Sequence, residues 1–206
     1  MDTAVKHLGK IKKQIDAQYG RGKSNEILAG LDALSGSETP EEIAIWAGEI
    51  IDRLESAIPP DELIEMREEC ACIKATMYSA YNKKYFKEIR GQYPDDDEAY
   101  LKAVADFLDG RGRCGNKVEY VNGEIISHFG FGNSCICYVI KGGWQKPPST
   151  TWCRCCQGTL KSIYQFVFIE KDCHMDIIET FATGGTDCVF RTWFTDKQAV
   201  EQQVSR

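Results

Sequence analysis

The sequence predicts an α+β fold: N-terminal helices followed by a mainly antiparallel sheet with a packed helix. Three observations carry this reading. Apolar residues recur at three- and four-residue spacing as far as Phe107. From Lys117 onward the texture changes to short runs rich in β-branched and aromatic residues. Between two of those runs sits Asn122-Gly123, a hairpin signal, because a type I′ turn needs positive φ at both central positions.

The elements follow in order. Val5, Leu8, Ile11, Ile15 and Tyr19 form a first stripe, interrupted at Gly20-Arg21-Gly22. A short helix with Ile27, Leu28, Leu31 and Leu34 comes next. Thr39, Pro40 and Glu42 make an N-cap, a first-turn proline and a capping box for a helix carrying Ile43, Trp46, Ile50 and Leu54. Pro59-Pro60 stops it, and Asp61 opens a longer helix whose stripe runs from Leu63 through Cys70 to Tyr81. A further helix follows Pro94, with Tyr100, Val104 and Phe107 inward and Gly110 as its stop. Then come two hairpin strands over 117–129, a third strand over about 134–140, a helix over about 157–168, and two strands over about 174–183 and 188–194. The organisation expected is a helical segment over 1–58 and a Cys-rich ligand-binding unit over 59–206.

Composition excludes several classes. Hydrophobic residues make up 43%, enough for a core without disulfide support. No apolar run is long enough to span a bilayer, so no membrane partner is expected. The segment MDTAVKHLGKIKK lacks the apolar stretch of a secretory signal, which makes a cytoplasmic location the expectation. A net charge of −6 argues against nucleic acid as a partner. Residues 5–24 hold six basic residues against Asp16, and 38–69 hold eleven acids against Arg53 and Arg67. Such runs are ordinarily solvated helix faces, though their opposite signs would suit a homodimer.

Ten cysteines are the main anomaly. In a reducing compartment, closely spaced cysteines point to metal or thiol chemistry more than to disulfides. Cys135-Ile136-Cys137 on a strand would aim both sulfurs at one face. Cys153 and Cys155, if extended on the approach to a helix, would also share a face, and thiols at a helix N-terminus tend toward thiolate. These two pairs are candidate zinc ligands, with Cys188, just past Gly184-Gly185, as a fifth. Cys155 or Cys156 is a candidate nucleophile, and His128 or Glu179 a candidate proton carrier. Reduced cysteines packed as small core residues are the competing reading.

Part of this pattern resembles a known group. Cys153-Arg154-Cys155-Cys156-Gln157-Gly158, the helix after it, and the stretch from Ile178 to Arg191 resemble the 4-vinyl-reductase domain group. They look closest to a Cys-rich branch allied to L-2-amino-thiazoline-4-carboxylate hydrolase. That branch shows paired early cysteines, a Cys-x-Cys strand, a Cys-x-Cys helix entry, and an acidic residue followed by Gly-Gly and Cys-x-Phe. Cys70, Cys72, Cys135, Cys137, Cys153, Cys155, Glu179, Gly184, Gly185, Cys188 and Phe190 stand at those places. Two departures stand out: Cys156 occupies a place where a small hydroxyl residue is usual, and no cysteine directly follows Glu179. The resemblance implies an α+β module for a small-molecule ligand, with zinc in some relatives and hydrolysis of an amino-thiazoline ring in others.

Three readings therefore stand. One is a small-ligand or metal-binding module with a zinc-capable thiol cluster and a pocket beside the 158–168 helix. Another is a hydrolase working through a cysteine thiolate on a small C–N bonded substrate. The last is a helical interaction protein with inert cysteines.

Overall fold

The computed structural model describes residues 3–31, 33–72, 76–110, 114–130, 135, 137–140 and 147–197, with backbone alone for 76–82. Among them, six α-helices, mostly N-terminal, accompany a four-stranded antiparallel sheet, which makes the fold α+β. No helix among them is long and apolar enough to cross a membrane.

Helix α1 (Thr3–Ile27) kinks at Gly20, whose φ of 81° and ψ of 163° leave the helical region. Helix α2 (Pro40–Ala57) starts at the expected capping box: the Thr39 side chain accepts from the Glu42 amide at 3.2 Å, and Glu42 Oε2 accepts from the Thr39 amide at 2.7 Å. The single long helix expected from Asp61 to Tyr81 is instead two. Helix α3 (Pro60–Glu69) ends on Cys70, and α4 (Thr76–Arg90) begins afresh. Helix α5 (Asp97–Asp109) is capped by Asp96.

Strands β1 (Lys117–Val121) and β2 (Glu124–His128) form the hairpin, with φ of 50° at Asn122 and 91° at Gly123. After helix α6 (Thr150–Tyr164), β3 (Lys171–Glu179) and β4 (Val189–Asp196) flank a single 3-10 turn at Phe181–Thr183. The sheet order is β1-β2-β4-β3. The strand expected over 134–140 is not present among its described residues, since Tyr138–Ile140 form a turn; Ser134 and Ile136 lie outside the described residues.

Apolar burial falls into two clusters. Leu8, Ile11, Ile15, Trp46, Ile50 and Met66 from α1–α3 build one, joined by Cys137, Val139, Ile140 and Trp152 from far along the chain. Tyr100 and Val104 of α5, Val118, Ile125 and Phe190 of the sheet, and Leu160 and Tyr164 of α6 build the other. Cys135 packs against both clusters. Helix α6 bridges the two, and it comes very close to α3. A Cβ on Gly158 would fall well inside contact distance of the Glu68 carbonyl, so only glycine permits this approach.

Candidate functional site

The thiols gather where the two clusters meet, and the start of α6 decides how. Ser149 caps that helix, its Oγ accepting from the Thr151 amide at 3.1 Å. The helix therefore begins seven residues before the expected Gln157, and Cys153, Cys155 and Cys156 are helical rather than extended. Cys153 and Cys155 then project about 200° apart around the axis instead of sharing a face. Cys156, three residues after Cys153, lies nearer to it.

Two overlapping groups of sulfurs result, since Cys137 interacts with Cys72, and Cys156 with Cys137 and Cys153. Around Cys153 lie Cys188, Cys135 and Cys137, all within electrostatic range of it, and Thr180 hydrogen-bonds its thiol. Burial pushes the Cys153 thiol up to about 12, and burial likewise raises Cys135, Cys137 and Cys188, the last to about 11. The Trp152 indole N–H donates to Cys137 Sγ at 3.3 Å.

The other group runs from Cys72 through Cys155 to Cys156. Cys72 hydrogen-bonds Cys155, and Cys155 hydrogen-bonds Cys156. Giving its hydrogen to Cys155 raises the Cys72 thiol, with burial adding to the effect. Cys155 is raised well above the thiol range, first by its bond to Cys156. Cys156 is favoured by the hydrogen it receives, yet burial still leaves it at about 11. The helix N-terminus thus does not make these thiols acidic, contrary to the expectation: the bond to Cys156 holds Cys155 protonated, and burial does so for Cys153 and Cys156. Cys155 is buried and Cys156 half-buried.

A basic trio that the sequence reading passed over stands behind Cys72. Arg67 is 0% exposed. It donates to the carbonyls of Thr151 and Trp152 at 3.3 Å each, and its guanidinium carbon lies 5.1 Å from the Trp152 ring centre. Its terminal nitrogens lie 3.3 Å from His7 Nε2, and His7 Nδ1 lies 3.8 Å from Cys72 Sγ. Lys10 Nζ donates to the carbonyls of Ala71 at 2.5 Å and Cys72 at 3.1 Å. A signal existed: Arg67 falls on the same stripe as Leu63 and Cys70, a charge on an apolar face.

The two candidate proton carriers are occupied elsewhere. His128 Nδ1 lies 3.0 Å from Asp187 Oδ2, and its Nε2 lies 3.3 Å from Glu119 Oε1. Asp187 Oδ1 also accepts from the amides of Gly130 and Cys188. Glu179 Oε1 accepts from the amides of Thr186 at 2.8 Å and Asp187 at 3.2 Å, tying down the Gly-Gly turn. Its charge still reaches Cys188.

A pocket of about 470 Å³ opens on the other half of α6, between Gly158, Lys161 and Phe166, the end of α3, and Cys173 of β3. Lys161 there pairs with Glu68 at 2.7 Å. Among the described residues, no three Cys, His, Asp or Glu side chains are already grouped to hold a metal ion.

The family described as a family of unknown function, DUF6144, matches residues 5–199. No curated protein matches the chain. Among solved structures, a crystal structure of an H-NOX protein from S. oneidensis in the Fe(II)NO ligation state is similar at 12% identity. It covers 95% of this chain and 100% of its own, with a TM-score of 0.44. An NMR structure of a mutant H-NOX domain from Shewanella oneidensis in the Fe(II)CO state is also 12% identical, covers 96% and 100%, and has a TM-score of 0.42.

Proposed function

We propose, for a chain that belongs to the DUF6144 family of unknown function, that it is a binding module whose thiol cluster takes up a thiophilic metal ion such as zinc. One observation carries the reading: Cys153 lies within electrostatic range of Cys135, Cys137 and Cys188, which come from separate segments of chain. Four sulfurs are a donor set that suits tetrahedral zinc. Their raised thiol pKa values mean that the metal must displace protons, so uptake weakens as pH falls. Because no three donors are grouped in advance among the described residues, uptake draws the sulfurs inward. A small-molecule ligand would occupy the pocket beside Cys173, whose volume is in the range of ligand sites.

Binding is favoured over hydrolysis by the state of the candidate nucleophiles. Cys155 and Cys156 are held protonated, and a protonated thiol attacks poorly.

The test is zinc uptake by protein purified anaerobically and without a metal-affinity step, read in competition with a chromophoric chelator. The wild-type chain should hold one zinc, and Cys153→Ser and Cys137→Ser should lose it while keeping the native far-ultraviolet circular dichroism. Equal zinc binding by the wild type and both variants would overturn the assignment.

A further inference from the structure

Helix α2 turns one large apolar side chain to solvent. Ile45 is 59% exposed, while Ile43, Trp46, Ile50, Ile51 and Leu54 of the same helix are buried. Glu42 stands three residues before it and Glu49 four after, so all three share the outer face. Glu41 and Asp52 extend this acidic face. Arg53, the one base of the helix, is drawn away to the carbonyls of Ile27 and Ala29.

Helix α1 carries the matching hollow. Gly9 lies on its exposed face, and a Cβ there would meet nothing within 4 Å. No contact among the described residues requires a glycine at this point, and glycine is a poor helix former. Lys6 precedes it by three residues and Lys13 follows by four, the same offsets that Glu42 and Glu49 hold from Ile45. Lys10 and Lys12 border the hollow as well, and Asp16, two turns on, is the one acid beside it. Lys6, Lys13 and Glu49 are exposed and enter no ion pair among the described residues. Glu42 gives one oxygen to the Thr39 amide and keeps its charge.

We propose that the chain self-associates by seating Ile45 of one copy over Gly9 of another, with Glu42 and Glu49 against Lys6 and Lys13. The bare backbone at Gly9 admits a close approach. The apolar side chain leaving water supplies the attraction. Exposed ion pairs add little affinity of their own, but they fix the register and speed the encounter. Both ends of the hollow are basic and both flanks of Ile45 acidic, so acid meets base whichever way the helices run. A second copy is the occupant because the two halves, equal in spacing and opposite in charge, belong to one chain. The contact does not depend on the zinc reading, because it uses no thiol.

The experiment is sedimentation velocity of the reduced full chain over a range of concentrations. The mass of the wild type should rise with concentration. Lys13→Glu alone and Glu49→Lys alone should each associate at least about tenfold more weakly, since each sets like charges together. Mixed in equal amounts, the two variants should associate as well as the wild type, because each reversed charge then meets the other. Gly9→Gln fills the hollow with a better helix former, so it should raise the urea midpoint while abolishing association. The mass of a single chain at every concentration would overturn the contact. So would association that survives Gly9→Gln, or a mixture no stronger than either charge variant alone. If a charge reversal costs the native circular dichroism, Gly9→Gln decides by the same two outcomes.

Discussion

Both terminal nitrogens of Arg67 lie 3.3 Å from Nε2 of His7, an imidazole that stays neutral in the fold. Burial is the larger cause, with Arg67 and Lys10 adding to it, and the His7 pKa falls well below its ordinary value. The sign of the pH effect follows. The unfolded chain takes up a proton on this residue near pH 6.5, while the folded chain refuses it. Stability from this source is therefore complete above pH 6.5 and declines below it, approaching ~1.4 kcal/mol per pH unit. Urea midpoints measured from pH 7.5 to 5 should fall further in the wild type than in His7→Gln, which keeps an acceptor for Arg67. Parallel curves would show that His7 titrates as an ordinary histidine. Asp97, held low chiefly by Lys171, and Glu119, held low chiefly by Lys117, act in the lower window where carboxylates protonate.

Gly158→Ala tests the closeness of α3 and α6. The added methyl group would meet the Glu68 carbonyl and α-carbon, which are backbone and cannot rotate away. A loss of roughly 2–3 kcal/mol is expected in urea unfolding. The same change at Gly22, where a Cβ meets nothing within 4 Å, should cost far less, and equal costs would refute the packing argument.

Much of the fold was legible because local chemistry and tertiary packing agree. The Thr39–Glu42 capping box and the Asn122-Gly123 turn each satisfy backbone groups within a few residues, so the signals are complete in the sequence. The site was less legible. The expected helix start near Gln157 misses the Ser149 cap, because Thr150 and Thr151 are weak helix formers and the burial of Trp152 outweighs them. Cys135-Ile136-Cys137 is too short to establish a period of two, and its described cysteines lead into a turn. Meeting partners such as His7 and Cys72 is a long-range fact that no spacing encodes.

Thiol reactivity should follow burial. With Cys156 and Cys188 at about 11, roughly one thiol in several thousand is ionised at pH 7.5. Alkylation by iodoacetamide should be slow in the native protein, rise nearly tenfold per pH unit up to pH 10, and become rapid in urea. One thiol reacting fast at neutral pH would refute this and would restore Cys156 as a nucleophile.

Glu179 should act through its hydrogen bonds more than through its charge. Oε1 takes the amides of Thr186 and Asp187, and Gly185 lies so close beneath that a Cβ there would strike the Glu179 side chain. Glu179→Gln keeps an acceptor oxygen of the same reach, so its stability should stay near that of the wild type. Glu179→Ala leaves both amides without their partner and should cost about 1–2 kcal/mol. The charge acts on Cys188, where a nearby carboxylate opposes the thiolate. Removing it in Glu179→Gln should make Cys188 modestly more acidic and, if Cys188 joins the metal site, bring zinc uptake to a slightly lower pH. Urea unfolding of both variants and zinc uptake against pH for the Gln variant separate the two roles. A Gln variant as unstable as the Ala variant would mean that the charge, rather than the hydrogen-bonding oxygen, holds the turn.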